Sequence, residues 1–170
     1  LFGCSEYLHW KNLDHGASDA EALAKRFKEV LNFDDVLLIL DEEVTKPRIH
    51  QVFQDLSACH KQDLIVITWS GHGAPLKLRN GRNTGYLIPY DAPDPLTIKS
   101  SFHCVDMIEL VHLADTALES LHVVFLIDCC FSGFFSALKR GGKDERLSQG
   151  RKRTIDKHLK MRCRYVINAG

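Results

Sequence analysis

Leu64-Ile65-Val66-Ile67-Thr68-Trp69-Ser70-Gly71-His72-Gly73 is the stretch that decides the fold. Apolar and β-branched residues run unbroken from Leu64 to Trp69, then stop at a Ser-Gly-His-Gly turn. A continuous run of this kind, rather than an alternating one, marks a strand buried on both faces, as in parallel sheets covered by helices. A second such run, Val123–Ile127, ends in Asp128-Cys129-Cys130-Phe131-Ser132-Gly133. Shorter strands are expected at Val36–Leu40 and from Tyr165 to Ile167, and the opening Leu1–Cys4 reads as the tail of another.

Helical stripes lie between these runs. Leu23, Ala24, Phe27, Val30 and Leu31 share one face of a helix expected over 17–31, and Ser18 and Glu21 have the spacing of a capping box. Thr45 and Pro47 suit the cap and first turn of a second helix, which turns Ile49, Val52, Phe53 and Leu56 inward. A third stripe lies near Val105, Ile108 and Val111, after a Gly-, Asn- and Arg-rich loop and the short run Tyr86–Pro89. Strands alternating with helices give an α/β domain: a mostly parallel sheet flanked by helices. The length, 170 residues, suits one such domain.

With 45% hydrophobic residues and 22 basic against 22 acidic ones, the composition is globular and excludes a disordered chain. The balance also argues against a dedicated nucleic-acid binder, and no apolar run reaches the roughly 18 residues of a membrane span. The opening lacks the form of a secretory signal. Charge is unevenly distributed, however. Residues 139–164 hold 11 of the basic residues and 3 acids, leaving an acidic body of net −8 with a basic, glycine-containing segment. That segment lacks interleaved aromatics, so a solvated linker is favoured over a nucleic-acid surface. The six cysteines form no C-x-x-C pair and two are adjacent, which favours free thiols and a reducing, cytoplasmic compartment. No H-E-x-x-H and no zinc-type cluster occurs, so neither a metal nor a cofactor is expected.

In open parallel sheets, ligands bind beyond the carboxyl ends of the strands. Two such ends carry unusual residues here: His72 between two glycines, and a cysteine pair framed by Asp128 and Ser132-Gly133. A histidine and a thiol at one sheet edge are the pair that nucleophilic thiol catalysis needs, the imidazole taking the thiol proton. Rival motifs fail in the letters. Leu76 stands where a dinucleotide fingerprint needs its third glycine, and no arginine follows any cysteine at phosphatase spacing. Neither a phosphate-binding G-x-x-x-x-G-K-[ST] loop nor a G-x-S-x-G elbow is present.

The chain resembles the caspase-like cysteine peptidases, specifically the large-subunit region of bacterial orthocaspases and metacaspases. The matching stretches are Gly16-Ala17-Ser18-Asp19-Ala20, Trp69-Ser70-Gly71-His72-Gly73, Tyr86-Leu87-Ile88-Pro89-Tyr90-Asp91 and Asp128-Cys129-Cys130-Phe131-Ser132-Gly133. The resemblance implies a cysteine endopeptidase with His72 as the catalytic histidine and Cys130 as the nucleophile, Cys129 being structural. It makes the backbone N–H groups of Gly73 and Cys130 an oxyanion hole, and Asp19 and Asp128 the acids of the primary specificity pocket. Substrates would then be proteins or peptides with a basic P1 residue, Arg or Lys. The partner would be the small-subunit half of the same domain, and residues 139–164 a self-cleaved linker. Animal caspases have Q-A-C-x-G where this chain has Asp128-Cys129-Cys130, which disfavours cleavage after Asp. Calcium-binding metacaspases carry an acid-rich stretch after the histidine; the loop from Leu78 to Gly85 has no acid, and Asp91 and Asp94 alone make no calcium site. Two alternatives remain at this point: a catalytically silent caspase-like interaction domain, and a nucleic-acid module built on the basic segment.

Overall fold

A computed structural model describes residues 1–77, 83–93, 101–129 and 162–169. The fold is α/β. Strands β1 (Phe2–Gly3), β2 (Ile39–Leu40), β3 (Leu64–Ser70), β7 (His122–Asp128) and β8 (Cys163–Ala169) form a five-stranded sheet in the order β2-β1-β3-β7-β8. Every pairing in it is parallel. A second, antiparallel sheet joins β4 (Gly73–Lys77), β5 (Asn83–Leu87) and β6 (Val105–Asp106).

Among the described residues, three helices flank the large sheet. Helix α1 (Gly16–Glu29) packs on β1 and β3. The packing is close because Gly3 and Gly16 face each other: a Cβ on Gly3 would lie 2.5 Å from Ala20 Cβ and 2.8 Å from the Gly16 carbonyl. Helices α2 (Lys46–Leu56) and α3 (Met107–Ala117) cover the other face. There Ile49, Val52, Phe53, Met107, Leu110 and Ala114 form one core with the alternate residues Ile65, Ile67, Trp69, Val123, Phe125 and Ile127 of β3 and β7. The cap expected of α2 is present, the Thr45 hydroxyl accepting the Arg48 N–H at 3.3 Å with a proline in the first turn.

Several expectations need correction. No capping box starts α1; His15 occupies the cap position, and Ser18 already sits in the first turn, donating to the His15 carbonyl at 3.1 Å. The helix ends at Glu29, so Val30 and Leu31 are 55% and 57% exposed rather than inward, and the chain turns at Asn32 with φ 53°. Strand β2 is only the last two residues of the run 36–40. In α3 the Asp106 carboxylate caps the Ile108 N–H at 2.8 Å, which starts the helix at Met107. The inward face therefore runs through Met107, Leu110 and Ala114, and Ile108 is 47% exposed. Strands β4 and β5 stand where a loop leading to the short run Tyr86–Pro89 was expected. The first contains Pro75 and no β-branched residue, a composition tolerated because β4 lies at the edge of its sheet.

Of the basic segment, residues 139–161 lie outside the described residues. Its last residues are structural rather than linker. Arg164 enters β8, pairs with Asp115 at 3.1 Å and donates to the carbonyls of Ala114, Ser120 and Leu121. No helix among the described residues is long and apolar enough to cross a membrane.

Candidate active site

Register brings the two unusual strand ends together. Ser70, the last residue of β3, is paired with Asp128, the last of β7, and the Gly71 N–H donates to the Asp128 carbonyl at 3.2 Å. The two chains thus leave the sheet at the same level. One leads at once to His72, the other to Cys129 and Cys130. Gly71 passes so close to the Tyr7 hydroxyl that a Cβ there would sit 2.7 Å from it. Gly73 opens β4, opposite Leu87.

His72 is held on every side by groups that sequence reading did not single out. Its backbone N–H donates to the Tyr7 hydroxyl at 2.8 Å, and that hydroxyl donates to the Cys4 carbonyl at 3.1 Å. The His72 carbonyl accepts from Ile88 N–H at 3.1 Å and from the Trp69 indole at 3.3 Å. The ring lies against Tyr7 and Trp10, with centroids 4.8 and 5.6 Å away. Its Nε2 is 2.7 Å from the Lys11 carbonyl. A carbonyl only accepts, so Nε2 carries the proton, and in the neutral ring Nδ1 is left as a free base.

The loop that presents Lys11 is itself knitted. The Asp41 carboxylate accepts the N–H groups of Ser5 and Glu6 at 2.7 and 2.9 Å, Asn12 accepts that of Tyr7 at 3.0 Å, and the Trp10 indole donates to the Pro93 carbonyl at 2.8 Å. The sequence hint of this was two aromatics, Tyr7 and Trp10, in a mostly polar stretch. Tyr7→Phe removes the hydroxyl and leaves the His72 N–H and the Cys4 carbonyl without it. The expected loss is about 2 kcal/mol of stability in a urea titration, and unchanged stability would show that the hydroxyl holds nothing in place.

Asp19, in the first turn of α1, and Asp128 line one cavity of about 180 Å³, together with Ser70, Ile167 and Asn168. The two acids expected to act together therefore share a wall-to-wall space, and both are exposed to it rather than buried. A cationic side chain entering there meets two carboxylates, and a guanidinium gains most from such a pair. Asp19 also favours the helix dipole, whatever it binds.

Cys130 lies outside the described residues. Its neighbour Cys129 is buried, 7% exposed. Two other thiols, those of Cys4 and Cys104, are poorly suited to attack near neutral pH. Burial pushes the Cys4 thiol up to about 12 and the Cys104 thiol up to about 11, and the thiolate is the reactive form. Among the described residues, no group of three or more His, Cys, Asp and Glu is placed to hold a metal ion.

No family model and no curated protein matches the chain. Solved structures do. Protein GSU0716 from Geobacter sulfurreducens is similar with a TM-score of 0.58 at 18% sequence identity, over 75% of this chain and 47% of that one. The chain thus spans about half the length of that solved protein. What the two share is the fold: a parallel sheet, flanked by helices, in an α/β arrangement.

Proposed function

We propose that the chain is the catalytic, large-subunit part of a caspase-like cysteine endopeptidase that cleaves after Arg or Lys. The observation that carries this reading is the level pairing of Ser70 with Asp128, so that the segments leading to His72 and to Cys129, which precedes Cys130 in the sequence, leave the sheet at the same end. His72 then takes the Cys130 thiol proton at Nδ1, with Nε2–H anchored on the Lys11 carbonyl. The thiolate attacks the scissile carbonyl, and the oxyanion that forms is bound by the backbone N–H groups of Gly73 and Cys130. Collapse expels the leaving amine, which receives the proton from the imidazolium, and water hydrolyses the thioester with His72 again as base. Asp19 and Asp128 select the P1 side chain. The small-subunit half of such a domain is the proposed partner, and residues 139–161 offer basic sites for self-processing.

A fluorogenic peptide panel varied only at P1, with Cys130→Ala as control, tests the proposal. Arg at P1 is expected to exceed Asp by about 100-fold or more, since Asp meets like charge in the cavity, and Cys130→Ala hydrolyses neither. Comparable turnover of Asp-P1 and Arg-P1 peptides overturns the specificity. Full activity in Cys130→Ala overturns the mechanism.

A further inference from the structure

Asp41 directly follows β2 and has φ 43°, in the left-handed region that short polar side chains such as Asp and Asn tolerate better than others. A conformation of that kind persists where the surroundings demand it. Here they hold the carboxylate. Its Oδ1 accepts two successive N–H groups, that of Ser5 at 2.7 Å and that of Glu6 at 2.9 Å. A carboxylate acceptor makes both bonds the strong, charge-assisted kind. Among the described residues no cation pairs with Asp41. Ser5 is also where the loop beside His72 closes: its carbonyl accepts the Leu13 N–H at 2.8 Å, and the Asn12 side chain accepts the Tyr7 N–H at 3.0 Å. Lys11 lies inside that closure. The turn that begins at Asp41 braces the same loop by a second route. The Val44 carbonyl accepts the Tyr90 N–H at 2.9 Å, and the Tyr90 carbonyl accepts the Leu8 N–H at 3.0 Å. Both routes end on the segment whose Lys11 carbonyl lies 2.7 Å from His72 Nε2.

We propose that Asp41 is a positioning residue for His72: its carboxylate fixes the closed loop 5–13, and through it the Lys11 carbonyl that holds Nε2–H and leaves Nδ1 free. The proposal rests on His72 as the base of the reaction proposed above, and Asp41 acts in it without touching substrate. A backbone carbonyl is a fixed acceptor only when its own peptide is fixed. Misplacing a catalytic group by about 1 Å is enough to cost up to about 100-fold in rate, so the rigidity of the loop bears directly on the chemistry.

The test compares Asp41→Gly and Asp41→Asn in the 170-residue protein. Glycine adopts φ 43° without strain, so it deletes the carboxylate and keeps the backbone. Asparagine keeps an uncharged acceptor on a residue that tolerates the same backbone. The first readout is exchange of the His72 Nε2 proton with water, followed by NMR on the 15N-labelled ring. Asp41→Gly is expected to speed it about tenfold or more, with Asp41→Asn between that variant and wild type. Val52→Ala, on the buried face of α2, lowers global stability without touching the loop and should leave the exchange rate as it is. The second readout is hydrolysis of an Arg-P1 peptide. In Asp41→Gly kcat should fall about tenfold while KM stays within about twofold, because α1 and its Asp19 are seated on β1 by the contact of Gly3 with Gly16. Unchanged exchange in Asp41→Gly overturns the proposal, as does equal acceleration by Val52→Ala, or faster exchange with kcat unaltered. If Asp41→Gly does not fold, Asp41→Asn alone decides, and a wild-type exchange rate in it overturns the proposal. A wild type that hydrolyses no peptide removes the peptidase reading and the kcat comparison with it, while proton exchange still decides whether Asp41 holds the ring.

Discussion

On the proposed mechanism, replacing His72 by alanine is expected to lower kcat/KM for an Arg-P1 peptide by about 10⁴-fold or more, because a base and a nucleophile that act as one unit retain little value alone. The ring is not a core residue. It is half-buried between Tyr7 and Trp10, and its backbone bonds to Tyr7 and Ile88 survive the substitution. The variant should therefore fold, at a cost of about 1 kcal/mol in lost aromatic contact. Alkylation of Cys130 by a peptidyl chloromethyl ketone should slow along with hydrolysis, since the thiol has lost the group that takes its proton. A variant that retains a tenth of wild-type turnover would remove His72 from the mechanism and with it the proposed reaction.

Gly3→Ala is expected to cost about 3 kcal/mol or more, a large share of the roughly 5–15 kcal/mol that separates a folded domain from its unfolded chain. The added Cβ meets Ala20 Cβ at 2.5 Å and the Gly16 carbonyl at 2.8 Å, with Ala17 Cα at 3.1 Å. None of these atoms is the far end of a flexible side chain, so α1 as a whole must move away from the sheet. That shift carries Asp19 out of the cavity it shares with Asp128. Urea titration of wild type and variant measures the cost directly. A midpoint moved by less than the equivalent of about 0.5 kcal/mol would mean that the helix rides more loosely on β1 than its contacts indicate.

The strands that were legible in the sequence are those buried on both faces. Leu64–Trp69 and Val123–Ile127 announce themselves because neither face has to be polar, and helix α2 because a cap, a proline and an apolar stripe agree. Boundaries set by single side chains were not legible. Asp106 rotates the buried face of α3 by fixing where the helix begins, and nothing in the apolar stripe tells Met107 from Ile108 as its first inward residue. The pairing of β4 with β5 was hidden because β4 has no β-branched residue and contains a proline, and β5 begins with Asn-Thr-Gly, so neither strand shows the apolar pattern that marks one. At the candidate site, His72 and the Asp128-Cys129-Cys130 stretch stood out at strand ends, whereas Gly73 and Asp19 were singled out only by the family resemblance. Lys11 could not be picked out, because what it contributes is a carbonyl oxygen, which every residue has. Tyr7 and Asp41 act through loops whose folding depends on distant partners.

The large sheet also governs how the protein must fold. Phe2 pairs with both Ile39 and Trp69, Leu64 with His122, and His122 with Cys163. Each neighbour comes from a remote part of the chain, while β4 and β5, close in sequence, belong to the other sheet. Loop closure must therefore precede nearly every ladder contact, which places the protein among slow, high-contact-order folders. Asp19, His72 and Asp128 belong to elements that meet only once β1, β3 and β7 are in register. The chain thus has no partly assembled route to the candidate site: the kinetics of sheet closure set the time at which these residues meet, and until then the apolar strands β3 and β7 are open to association with other chains.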